Sequence, residues 1–295
     1  MGSFKRRMVQ FASTLIGNGY FKGFAKGTIY RGKLKSFCFP GLNCYSCPGA
    51  YTSCPIGSLQ SVAVGLKHQV SLYVIGLLML IGTIGGRFVC GWLCPFGLFQ
   101  ELLYKIPSKK YKMPKFLSKL KYFFLTVFVL LLPALFTNEV GIGLPYFCKY
   151  ICPAGTLEAS LPLIIRNAAL RRAIGIMYYW KLLLLGVTVI LAVLFSRPFC
   201  RVVCPLGAIY SLFNRVSFYQ MNVDSSKCIK CDICNKNCPV DIKIYENANS
   251  PECIRCGICM GKCPTKAIGS GFKTGKRRME DEKVLDTGSG THSCH

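Results

Sequence analysis

The chain has 295 residues, 52% of them hydrophobic, and 37 Lys and Arg against 12 Asp and Glu leave a formal net charge of +25. Its 19 cysteines do not read as a disulfide scaffold. Such scaffolds are short secreted chains, and here Lys5, Arg6 and Arg7 are followed by no short apolar core with a small-residue cleavage site. The cysteines therefore read as metal ligands in a reducing compartment. The basic excess admits nucleic acid, anionic lipid or an acidic protein as partner. No nucleic-acid motif is visible and the basic residues flank apolar runs, so the charge reads as the cytoplasmic margin of a membrane protein.

In chain order, residues 8–30 are apolar but carry Lys22 and Lys26, four apart on one helix face, which suits a first span with snorkelling lysines or an interfacial helix. Residues 38–55 (CFPGLNCYSCPGAYTSCP) hold Cys38, Cys44, Cys47 and Cys54, and their glycines and prolines exclude a long helix. Residues 61–86 read as a span, with Lys67 snorkelling at one end. GRFVCGWLCPFG then brings Cys90 and Cys94, and 96–106 reads as a short amphipathic helix. Lys105, Lys109, Lys110, Lys112, Lys115, Lys119 and Lys121 follow without an acid, which places this loop in the cytoplasm. Residues 122–138 read as a span with Pro133 near its end. PYFCKYICPAG carries Cys148 and Cys152, and a span over 173–196 follows, with Tyr178, Tyr179 and Trp180 as an interface belt. RPFCRVVCPLG carries Cys200 and Cys204, and 206–222 connects to the C-terminal part. The tail, 270–295, is polar and reads as disordered. Within it His292, Cys294 and His295 suit a flexible tail better than a metal site. With His68 they form no acid–base constellation.

The most specific signal is CIKCDICNKNCP followed by CIRCGICMGKCP, within residues 228–264. Each half has the C-x2-C-x2-C-x3-C-P spacing of a bacterial [4Fe–4S] site, in which three cysteines hold one cluster and the fourth reaches across to its twin. This assigns Cys228, Cys231, Cys234 and Cys263 to one cluster, and Cys253, Cys256, Cys259 and Cys238 to the other. Pro239 and Pro264 turn the chain away. Zinc knuckles are the competing reading, but zinc sites rarely repeat four cysteines at this spacing.

Four further segments resemble one another: CPIGSLQ at Cys54, CPFGLFQ at Cys94, CPAGTLE at Cys152 and CPLGAIY at Cys204. The last three have a partner cysteine four residues earlier, and such a C-x3-C-P pair supplies half of a four-thiol site, so the halves must pair. Counting spans makes the motifs alternate sides. Cys90, Cys94, Cys200 and Cys204 then meet on the cytoplasmic face, and Cys148 and Cys152 meet the 38–54 loop on the outer face. Six cysteines lie there for four positions. Cys148 and Cys152 pair with two of Cys44, Cys47 and Cys54, leaving Cys38 spare; alternatively Cys38, Cys44, Cys47 and Cys54 form their own site. Inert buried cysteine is the competing reading for these pairs. The repeated Pro-x-Gly, a fixed bend that packing alone does not require, opposes it.

GRFVCGWLCP at 86–95, SRPFCRVVCP at 196–205 and the twin motif at 228–264 resemble the NapH/MauN-type membrane ferredoxins, a family of 4Fe–4S binding proteins. The resemblance implies four spans, with 8–30 as the first, two C-x3-C-P motifs on the cytoplasmic side and a cytoplasmic ferredoxin domain. The 38–54 loop and the motif at Cys148 and Cys152 exceed that pattern and resemble a clostridial and archaeal subgroup. The expected fold is thus a membrane α-helical bundle of about four transmembrane helices (1–216), a small α+β bacterial-ferredoxin-like 2×[4Fe–4S] domain (217–269) and the tail. The expected function is electron transfer through [4Fe–4S] clusters, two in each domain. The donor is a cytoplasmic acidic ferredoxin or flavoprotein; the acceptor is a quinone or an extracytoplasmic flavin or metalloprotein. Anionic lipid surrounds the chain and no nucleic acid is bound. A maturation factor that activates a metalloenzyme and an iron–sulfur redox sensor are the rival functions.

Overall fold

The computed structural model describes residues 3–65, 72–136 and 144–272. Helices dominate, and many are short because Cys-Pro or Gly-Arg steps interrupt the apolar runs. Among the described residues two helices are long and apolar enough to cross a membrane, Lys115–Leu135 and Ile176–Leu194. Both present large apolar side chains outward, such as Phe123, Leu131, Leu183 and Ile190, as a lipid-facing surface does. The first contains a wide π stretch, Leu125–Leu131, just before Pro133, where the missing proline N–H disturbs the regular ladder.

The expected four-span bundle with an α+β ferredoxin-like domain is therefore corrected. Residues 8–30 are not one helix. The chain forms Ser3–Asn18, breaks, and resumes as Phe21–Lys26, and the Tyr20 N–H in the break bonds the Gly49 carbonyl at 3.0 Å. Lys22 and Lys26 are exposed. Of residues 61–86, the described parts belong to Pro55–Gly65 and Leu72–Gly85. The latter, at 14 residues, is about 21 Å long against a hydrocarbon core of about 30 Å. A hydropathy sum along the sequence runs through the break at Gly19 and Tyr20 without registering it. Lys67 and His68, the end of the 122–138 segment, and His292, Cys294 and His295 lie outside the described residues.

The C-terminal part contributes one antiparallel pair, β1 (Tyr219–Val223) and β2 (Ile268–Phe272), with Tyr219 opposite Phe272 and Val223 opposite Ile268. Residues 270–272 thus belong to a strand rather than to the tail. This part does not stand apart from the helices: Val240 and Ile254 share one core with Cys94, Phe96 and Phe199. Asn214, fully buried, accepts the Arg87 backbone N–H at 2.8 Å and donates to the Ser250 and Cys253 carbonyls at 2.9 and 2.8 Å. Trp92 donates to the Arg255 carbonyl at 3.0 Å, and Arg255 donates to the Gly85 and Asn214 carbonyls. A Cβ on Gly91 would stand 2.3 Å from the Ile254 carbonyl oxygen, so only glycine lets the two parts meet this closely.

Candidate iron–sulfur sites

The paired motifs share a local design. A short helix ends just before the second cysteine, and that cysteine caps the next helix with proline at its first position. The Cys94 N–H bonds the Val89 carbonyl at 3.1 Å, and Cys204 and Cys152 repeat this with Phe199 and Phe147 at 2.9 Å. The thiols are thereby presented at the helix starts.

Cys90, Cys94, Cys200 and Cys204 are all buried in one core. Their charges act on one another: Cys204 is influenced by Cys200, Cys90 and Cys94. Loss of hydration pushes the Cys94, Cys200 and Cys204 thiols up, so a cationic core is needed to hold them as thiolates. Two fully buried arginines cross between the motifs. Arg87 donates to the Cys200 carbonyl at 3.2 Å, and Arg197 donates to the Cys90 carbonyl. Glu101 pairs Arg197 and Arg6, both at 2.7 Å, and Glu252 pairs Arg87 at 2.8 Å and Lys121. Lys121 therefore points into the protein rather than forming part of an exposed basic loop. Gln100, fully buried, donates to the Cys200 sulfur at 3.0 Å and accepts the Phe199 N–H at 3.1 Å.

The other motifs repeat part of this. Gln60 donates to the Cys148 sulfur at 3.1 Å and accepts the Phe147 N–H at 3.1 Å. Cys44, Cys54, Cys148 and Cys152 line one cavity of about 580 Å³, together with Lys35 and Lys181. Cys54 is influenced by Cys152, Cys148 by Cys54, and Cys44 by both Cys152 and Cys54. Burial pushes the Cys54, Cys148 and Cys152 thiols up to about 12. Cys38 and Cys47 do not line this cavity; the Cys38 sulfur instead meets the Ser53 and Ser58 hydroxyls at 3.3 and 3.4 Å. Glu158 accepts the Cys44 N–H at 2.7 Å, and burial raises its carboxyl to about 7. Both thiol sets share one hydrophobic core. Leu42 of the 38–54 loop packs in that core.

In the C-terminal part, Cys228, Cys231, Cys234 and Cys263 line one small pocket. Cys238, Cys253, Cys256 and Cys259 line a second, which Cys234 also borders. Left-handed backbone recurs at matching places in the two halves: Lys230 and Arg255, Asp232 and Gly257, Asp241 and Lys266. Non-glycine residues seldom adopt it, so the repeat marks a chain bent around something. Among the described residues no three Cys, His, Asp or Glu side chains gather as a single-ion site. Soft thiolates in sets of four, with N–H groups aimed at sulfur, fit [4Fe–4S] cores.

Sequence reading missed Arg87, Arg197, Gln60, Gln100, Glu101, Glu158 and Glu252. The signal was there for four of them: arginine stands three residues before both Cys90 and Cys200, and glutamine six after both Cys54 and Cys94.

The 4Fe–4S binding domain family matches residues 67–114, 122–161 and 178–221, each segment enclosing one C-x3-C-P pair. Uncharacterized protein MJ0750 of Methanocaldococcus jannaschii is 32% identical over 61% of this chain and 71% of its own length. Uncharacterized protein MJ0749 of the same organism is 28% identical over 65% and 67%. The putative electron transport protein YccM of Escherichia coli is 27% identical over 64% of this chain and half of its own length. No solved structure matches the chain. Four-thiol geometry and these likenesses agree: the chain belongs, with MJ0750, to a family of 4Fe–4S binding proteins.

Proposed function

We propose that this protein carries electrons at a membrane, between a cytoplasmic donor and a membrane or extracytoplasmic acceptor, with four [4Fe–4S] clusters. The observation that carries this is the sorting of sixteen thiols into four sets of four. The ligands are Cys228, Cys231, Cys234 and Cys263; Cys238, Cys253, Cys256 and Cys259; Cys90, Cys94, Cys200 and Cys204; and Cys44, Cys54, Cys148 and Cys152. Bound clusters supply one-electron chemistry. The chain's own residues bury the thiols, aim N–H groups at sulfur and fix the spacing between sets, which sets potentials. Lys115–Leu135 and Ile176–Leu194 hold the protein in the bilayer, and the lysines at 105–119 favour a cytoplasmic C-terminal part. The donor is an acidic ferredoxin or flavoprotein, for which exposed lysines such as Lys230 beside the exposed Cys231 form a matching surface. The acceptor is a quinone or an external flavin or metalloprotein. Within the broader family, the NapH/MauN-type resemblance rests on the motifs at 86–95, 196–205 and 228–264.

An anaerobic iron and sulfide count on the purified chain tests this, with about sixteen irons expected for four clusters. Eight irons would confine clusters to the C-terminal part and end the conduit reading. Cys90→Ser should remove one cluster and leave the others.

A further inference from the structure

Two cavities adjoin where the two long apolar helices reach a common surface. Ile176–Leu194 ends there and Lys115–Leu135 begins there. The chain beside these ends runs together. The Tyr111 N–H bonds the Leu194 carbonyl at 3.1 Å, and the Tyr111 and Phe195 ring centroids lie 6.0 Å apart. Outside the helices, Tyr111, Lys112 and Ser196 wall a cavity of about 350 Å³, together with Arg7, Lys105 and Lys236. Between the helices, the next residues of the same two segments, Met113, Pro114, Phe195 and Pro198, wall a second cavity of about 180 Å³ with Leu117 and Leu191.

The two cavities are opposite in character. The first is bordered by Arg6, Arg7, Lys105, Lys110, Lys112 and Lys236 against two carboxylates, Glu101 and Asp241. Both carboxylates are already engaged, Glu101 by Arg6 and Arg197 at 2.7 Å each and Asp241 by Arg201 at 2.8 Å. Lys110 directs its amine at the Ile106 and Val193 carbonyls and the Ser108 hydroxyl. Among the described residues Arg7, Lys105, Lys112 and Lys236 meet no carboxylate, and the Arg7 Nε is buried without a hydrogen-bond partner. In the second cavity the one polar side chain is Thr188, whose hydroxyl donates to the Leu184 carbonyl at 2.8 Å.

We infer that the adjoining cavities form one site for an acidic phospholipid, an inference that rests on the membrane reading above. Its phosphate lies among Arg7, Lys105, Lys112 and Lys236, and an acyl chain enters the apolar cavity between the helices. Guanidinium and ammonium groups suit phosphate, and basic clefts beside membrane helices are where acidic head groups bind. A free phosphate ester would use the first cavity only, and so would an acidic protein. The apolar cavity at the span ends is what selects a lipid. Arg7 belongs to Ser3–Asn18 and Lys236 to the C-terminal part, so the head group fills the seam between them.

Native mass spectrometry of the full, delipidated chain in detergent tests this, with dioleoyl phosphatidylglycerol, dioleoyl phosphatidylcholine and glycerol 3-phosphate as probes. One phosphatidylglycerol should bind at least tenfold more tightly than either of the others. Lys105→Gln with Lys112→Gln, both exposed, should weaken it about 10- to 30-fold, and Arg7→Gln should weaken it as well. Lys262→Gln with Lys266→Gln, which removes the same charge away from both cavities, should leave it unchanged. Equal binding of the two lipids, glycerol 3-phosphate binding as tightly as phosphatidylglycerol, or equal losses in the two lysine pairs overturns the inference. A chain that stays in solution without detergent and enters no phosphatidylcholine nanodisc overturns the membrane reading and the inference with it.

Discussion

The set built on Cys90, Cys94, Cys200 and Cys204 and the set built on Cys44, Cys54, Cys148 and Cys152 arise from the same C-P-x-G repeat, yet they are finished differently. The first is closed by two arginines that cross between its halves, each held by a partly buried carboxylate. The second has Cys47 and Pro145 where those arginines would stand. It borders a 580 Å³ cavity with Lys35 and Lys181 on its wall, and it takes one ligand from a loop. A repeated motif therefore fixes where thiols emerge from helices, and the residues three places earlier decide whether the site is sealed.

Charge removal should separate the two most strongly. Glu101→Gln leaves Arg6 and Arg197 buried without their carboxylate, which should cost about 3–5 kcal/mol. Glu158→Gln keeps an oxygen for the Cys44 N–H and removes a carboxyl that burial already disfavours, so its cost should stay near 1 kcal/mol or less. Thermal unfolding in detergent measures both, and equal losses would erase the distinction. Glutamine should show where the sites agree. Gln100→Leu and Gln60→Leu each strip a sulfur of an N–H and leave a buried backbone N–H unpaired. Each should cost about 2–3 kcal/mol and lower the potential of its own site alone, as read by redox titration.

The motif glycines sharpen the contrast further. A Cβ on Gly207 would stand 2.9 Å from the Cys200 carbonyl oxygen and on Gly97 3.2 Å from that of Cys90, whereas Gly155 and Gly57 meet nothing nearer than 3.7 and 3.9 Å. Gly207→Ala should destabilise by about 1–2 kcal/mol. Gly155→Ala should be neutral or gain a few tenths from helix propensity. The smallest effect is in pH. Burial alone would raise the Glu101 carboxyl, but Arg197 and Arg6 outweigh it and hold the group below its ordinary value. A depressed acid contributes stability above its unfolded value of about 4.3 and loses it as pH falls through the folded value. Hydrogen exchange in Ser3–Asn18, which Arg6 ties to Glu101, should therefore quicken in acid below about pH 4 and stay unchanged above about pH 5.

Much of this was legible from spacing. The twin motif assigned two sets of four cysteines, and each set lines one pocket, because ligand turns are local and their spacing is written in the chain. The pairing of Cys90 and Cys94 with Cys200 and Cys204 was reached by counting spans, and the four thiols lie in one core although that span count was not met. The spans expected near 122–138 and 173–196 correspond to Lys115–Leu135 and Ile176–Leu194, whereas residues 8–30 do not form one helix. Residues 8–30 carry enough apolar side chains for a span, but the chain turns at Gly19 and Tyr20 to meet Gly49, a tertiary bond with no local signature. The choice among Cys38, Cys44, Cys47 and Cys54 was open for the same reason. It depends on how the loop folds against Glu158 and Gln60, which are distant in sequence.

Asn214 and Arg255 have one more consequence. Their bonds run from the backbone of the last helical turns into the loop that carries Cys253 and Cys256. A redox head group on such an anchorage cannot swing between a docking pose and a delivery pose as tethered carriers do. Its turnover should be indifferent to solvent viscosity, and any gating must come from the partner that arrives rather than from a hinge within this chain.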